Sequence, residues 1–205
     1  MNIKKDGYYL ILLVALLFVW VISLFFLTPI KSVADFFTRF AVLLGYICLF
    51  LATLTTPFMR QLYQLYGKPF IKIHHYFSIT GIILITIHPI SFAIEVGNIA
   101  VFIPRFDSWI VFWELAGRPA LYIIYIAVLA VILRKYISQK VWRILHGLNY
   151  VALAFGYFHG LLIGTDFKNL GILITFTIMI ILTYAVLFYK RYLKYKLKRR
   201  KTDSN

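Results

Sequence analysis

The chain is poor in what a water-soluble protein places on its surface. Of its 205 residues only 14% are charged, and just seven of them are acidic. A soluble domain carries about 25% charged residues. That shortage excludes a water-soluble enzyme, a disordered tail protein and a nucleic-acid module. A single cysteine, Cys48, excludes a disulfide framework and an all-cysteine metal site. The sequence also lacks a glycine-rich phosphate loop, a nucleophile elbow and a zinc motif. No ten-residue alternation suggests a membrane barrel.

What the chain has instead is apolar surface: 62% of it is hydrophobic and 19% aromatic, with mean hydropathy +0.84. Six stretches are long enough to cross a hydrocarbon core about 30 Å thick, which takes about 20 apolar residues. They are residues 8–28, 37–58, 73–96, 119–133, 141–164 and 170–189. In lipid the backbone polar groups must be bonded within each segment, so these read as helices. The first is preceded by Lys4 and Lys5 but followed by the bulky run Phe25-Phe26-Leu27-Thr28-Pro29, so an uncleaved helix is expected rather than a signal peptide. The expected architecture is an all-α membrane protein: a six-helix membrane domain over 1–189 and a basic tail over 190–205.

The net charge is +15, and the basic residues lie between the apolar runs. Of the 22, 17 fall on one side of the expected bundle, and only Lys31, Arg39, Arg105, Arg118 and Lys168 fall on the other. Five of the acids, Asp35, Glu95, Asp107, Glu114 and Asp166, lie on that sparse side. The positive-inside rule then places both termini in the cytoplasm of a multi-pass cell-membrane protein, with the loop around 97–118 outside.

All five histidines, His74, His75, His88, His146 and His159, fall in the third and fifth spans. Ionisable residues inside spans mark functional sites by default. His74 and His88 are 14 apart, and His146 and His159 are 13 apart. At about 1.5 Å per residue these are rises of about 21 Å and about 19.5 Å. Both spans start on the same side, so His74 and His146 share one level, and His88 and His159 share another. Two histidines on facing helices at one depth can hold an iron porphyrin between them as axial ligands. Angularly, 14 residues miss whole turns by about 40°, whereas 13 miss by about 140°. That favours His74 over His75 as the inner ligand, since His75 to His88 is again 13; His75 is then a propionate contact or merely interfacial. The 13-residue interval in the fifth span demands a departure from ideal helix, for which Gly147, Gly156 and Gly160 are the candidates.

The run His74-His75-Tyr76-Phe77-Ser78-Ile79-Thr80-Gly81, leading to His88-Pro89, resembles the third helix of the ferric reductase-like transmembrane family. Trp142-Arg143-Ile144-Leu145-His146-Gly147-Leu148-Asn149-Tyr150, leading to His159-Gly160, resembles its fifth. Gly45 with Leu54-Thr55-Thr56-Pro57, and Gly117-Arg118-Pro119-Ala120, are looser likenesses. The resemblance spans roughly residues 40–190. It implies two b-type haems, one on His74 and His146 and one on His88 and His159, carrying electrons from the cytoplasmic face to an acceptor outside. The family includes the membrane domains of NADPH oxidases, ferric-chelate reductases and the haem subunit of the methionine sulfoxide reductase system. The last has a basic residue where this chain has His74, so that position is closer to the oxidase and ferric reductase pattern. Relatives usually continue into an FAD- and NADPH-binding domain, and about 16 residues after Tyr189 are too few to form one. The expected donor is therefore a separate flavoprotein or quinol.

Arg60, Lys72 and Arg143 at the inner level, and Arg105 and Arg118 at the outer, are candidate propionate partners, because guanidinium binds carboxylate bidentately. The tail from Lys190 to Lys201 reads as a topogenic anchor on anionic lipid or as a dock for an acidic donor. The outer loop, with Arg105, Phe106, Trp109, Phe112 and Trp113, reads as an interfacial piece. Two other functions remain open: a non-redox accessory or assembly subunit, and the cytochrome b anchor of a quinone-linked dehydrogenase.

Overall fold

A computed structural model describes residues 5–66 and 70–203; Lys4 and Lys68, counted above for orientation, lie outside the described residues. Among those described there is no strand. The helices are α1 (Lys5–Phe25), α2 (Val33–Thr55), α3 (Met59–Tyr66), α4 (Phe70–Val96), α5 (Trp109–Glu114), α6 (Gly117–Ile132), α7 (Gln139–Gly147), α8 (Asn149–Ile163) and α9 (Leu170–Asp203). Short 3-10 turns join several of them.

Among the described residues five helical stretches are long and apolar enough to cross a membrane: Lys5–Phe25, Val33–Tyr66, Ile71–Val96, Gly117–Lys135 and Leu170–Leu197. The stretch 141–164, expected as one span, is instead interrupted at Leu148, leaving α7 with nine residues and α8 with 15. At about 1.5 Å per residue, α8 alone reaches about 22 Å, short of a hydrocarbon core. At the opposite extreme, α9 continues unbroken from Leu170 through the basic segment to Asp203.

Local chemistry explains the ends. Ser32, in an extended conformation, caps α2 by accepting from the Asp35 N–H at 3.0 Å, and Ser138 caps α7 through Val141. Such a cap contributes about 1 kcal/mol. Pro89 sits inside α4 directly after His88, where it can donate no backbone bond.

In lipid there is little hydrophobic drive between helices, so close packing of small residues and hydrogen bonds must hold the bundle. α2 and α4 make the most extensive pairing. Two glycines sit on that seam: a Cβ on Gly45 would come within 2.9 Å of Ile85, and one on Gly81 within 2.8 Å of Leu49. Around α2 the core gathers Val21, Phe25, Leu43, Ile47, Leu153, Ile172 and Phe176. Tyrosine hydroxyls tie helices together, with the buried Tyr46 donating to the Leu153 carbonyl at 3.1 Å and the half-buried Tyr184 to the Tyr150 carbonyl at 2.9 Å. Leu13, Ile83 and Leu182, by contrast, are exposed, as side chains facing lipid would be. Near the ends of α1, α2 and α8 lies one buried ionic cluster of Arg39, Asp35 and Asp166.

Candidate haem-ligand site

The α2–α4 seam runs antiparallel, and its register is visible in two hydrogen bonds. His88 Nδ1 lies 2.8 Å from the Thr38 carbonyl oxygen, and His74 Nδ1 lies 3.0 Å from the Ala52 carbonyl oxygen. Thr38 and Ala52 are 14 apart, as are the two histidines. A carbonyl can only accept, so each Nδ1 carries the proton and each Nε2 keeps its lone pair. Ligating histidines are usually oriented by such a bond from the non-ligating nitrogen. The close approach at Gly45 and Gly81, midway between these bonds, brings the α2 carbonyls within reach of α4.

A second ladder faces the first. α6 runs antiparallel to α7 and α8. His159 Nδ1 donates at 2.5 Å to the carbonyl of Glu114, the last residue of α5. Thirteen residues later, in α6, the Ala127 carbonyl approaches His146, which is 13 residues before His159; here no hydrogen bond closes, and among the described residues the buried His146 Nδ1 has no partner. His146 instead stacks on Trp142, with ring centroids 5.5 Å apart and planes at 9°.

His146 and His159 thus both approach α6 although 13 residues separate them, and between them the α-helix is interrupted for one residue at Leu148. The Asn149 side chain donates to the His146 carbonyl at 2.9 Å and so satisfies an acceptor at the break. Of the three glycines weighed for this role, Gly147 directly precedes the break, with open space where a Cβ would be.

The His88 and His159 rings face one another with centroids 6.3 Å apart and planes at 73°. An imidazole nitrogen binds a transition metal at about 2 Å, so two rings on opposite sides of one metal have centroids on the order of 6 Å apart. Gly117 lies against the same spot: a Cβ there would fall 2.6 Å from His159 Cδ2 and 2.9 Å from Nε2. The residues present therefore fit a bis-imidazole iron porphyrin at this level, in donor type, tautomer and separation. At the other level His74 is half-buried, and Ser78 Oγ lies 3.5 Å from its Nε2. His75 is exposed, its ring 5.8 Å from that of His74.

The candidate propionate partners divide. Arg60, Lys72 and Arg143 are exposed. Arg105 pairs with Asp107 at 2.7 Å, and this guanidinium holds the Asp107 carboxyl below the usual carboxylate range. Arg118 donates to the carbonyls of Ile103 at 2.7 Å and Ala100 at 3.2 Å, bracing the loop before α5. It stands close enough to His159 for its charge to be felt there. Among the described residues no group of three or more His, Cys, Asp or Glu is placed to hold a metal ion; an axial pair is a smaller set.

Sequence reasoning missed Thr38, Ala52 and Glu114, which act through backbone carbonyls, and also Gly117 and the buried Arg39. The equal intervals on neighbouring helices were a signal for the first two. Comparison with protein-family models, curated proteins and solved structures found no match for the chain.

Proposed function

We propose that the chain is a six-span membrane protein with both termini in the cytoplasm. It holds one b-type haem between His74 and His146 and another between His88 and His159. Through them it passes electrons from a cytoplasmic-side flavoprotein or quinol to an extracytoplasmic acceptor, as an oxidoreductase component resembling ferric reductases. In this reading α7 and α8 together serve as the fifth span, since their 25 residues reach about 37 Å. The observation that carries it is the His88–His159 pair, 6.3 Å between centroids, with both Nδ1 protons given to carbonyls.

A bound haem supplies reversible one-electron chemistry at its iron. The protein's own residues do the rest. The Thr38, Ala52 and Glu114 carbonyls hold three imidazoles in the tautomer that presents Nε2. Gly117 leaves clearance beside His159. Apolar walls such as Leu49, Phe77 and Phe155 keep water from the space between the levels, so charge moves through a medium of low polarity.

Purified protein should show a reducible b-type spectrum with about two haems per chain. Colourless protein would overturn the proposal in favour of an accessory subunit. Inhibition by quinone-site ligands would point to a dehydrogenase anchor.

A further inference from the structure

Arg39 is 6% exposed, and Asp35 and Asp166 are 8% and 5% exposed. Its guanidinium grips Asp166 with two bonds, Nε to Oδ2 at 3.0 Å and Nη2 to Oδ1 at 2.6 Å. Nη1 reaches Asp35 Oδ2 at 3.0 Å and the Pro29 carbonyl at 2.8 Å. Phe25 lies under the guanidinium, 5.1 Å from ring centroid to Cζ. Removing such charges from water costs about as much as their attraction returns, so a buried ion pair is a poor device for stability alone. What a bidentate Arg–carboxylate pair supplies is directional, short-range geometry.

That geometry spans the two supports of the His88–His159 pair. On the α2 side, the residue before Arg39 is Thr38, whose carbonyl holds His88. On the other side, the residue after Asp166 is Phe167, whose ring lies against Gly160; a Cβ on Gly160 would fall 2.8 Å from it. Gly160 directly follows His159. Each end of the ion pair therefore abuts the support of a different imidazole.

We infer that Arg39 and Asp166 are positioning residues, a spacer that fixes the separation of His88 and His159 and so the ligand field of the iron they share. The inference rests on the proposed haem function. Neither side chain is required to touch the metal or the porphyrin.

The test uses the full chain in phospholipid nanodiscs. Asp166→Asn breaks the two-bond grip at nearly constant shape. It should shift the low-spin electron paramagnetic resonance signal and midpoint potential of the His88–His159 haem, and weaken its retention roughly tenfold, the scale of losing an outer support. The His74–His146 signal should stay in place and serve as the internal sign of folding. Should Asp166→Asn lose both signals, Asp166→Glu keeps the charge and lengthens the arm, and a smaller shift confined to the same haem is expected. The variant Arg39→Met with Asp166→Leu and Asp35→Asn, which leaves no buried charge unpaired, should fold yet show the shifted signal. Unshifted resonance and potential in a folded variant would overturn the spacer while leaving the haem assignment intact. An unsubstituted protein without haem would overturn both.

Discussion

The two histidine levels are built from the same parts but finished differently. At the His88–His159 level both Nδ1 atoms are bonded to carbonyls, the rings face each other, and the turn after α5 closes over the pair. At the His74–His146 level only His74 has such an anchor, while His146 rests on Trp142, whose own Nε1 is buried without a partner. The difference follows from the break at Leu148, which sets His146 on the nine-residue α7 and His159 on the longer α8 packed against α6 and α5. One level is held by backbone carbonyls at both imidazoles, and the other by a carbonyl at His74 and a stacked indole at His146.

The largest expected effect separates the levels outright. His88→Ala or His159→Ala should reduce haem from about two per chain to about one, sparing the His74–His146 haem; quantitation by pyridine haemochrome checks it, and unchanged content in both variants would reject the assignment. Gly117→Val comes next, because its side chain would overlap His159. It should empty the same level while leaving the other spectrum unaltered. Overpacking the α2–α4 seam with Gly45→Leu should instead disturb both levels together, at a cost of about 1–3 kcal/mol read by thermal unfolding in detergent. Trp142→Leu removes the stack under His146 and should weaken only the His74–His146 haem, roughly tenfold, in a competition assay for haem. The smallest effect belongs to His75→Ala. With His74 as ligand, haem content and spectra should not change, and a lost haem would transfer the role to His75.

Much of the fold was legible because apolar runs must be helical in lipid: four of the expected spans match qualifying helices, and the second continues into α3. The fifth run divides into α7 and α8 at Leu148, which hydropathy does not register because the interruption costs no polarity. Its 13-residue histidine interval brackets that interruption. The carbonyl anchors were not legible residue by residue, since every residue owns a carbonyl. Only the repeated interval of 14, from Thr38 to Ala52 as from His74 to His88, betrays them after the fact. The Arg39–Asp166 pair joins positions 127 apart, and nothing local in either segment announces the other.

Matched intervals have a further consequence for how this chain tolerates change in length. A single residue added to α4 between His74 and His88 would turn one imidazole by about 100° and carry it about 1.5 Å along the axis. The carbonyl waiting on α2 would then meet nothing, unless α2 gained a residue between Thr38 and Ala52 as well. Insertions between the matched positions of α2 and α4 are therefore permitted only in concert.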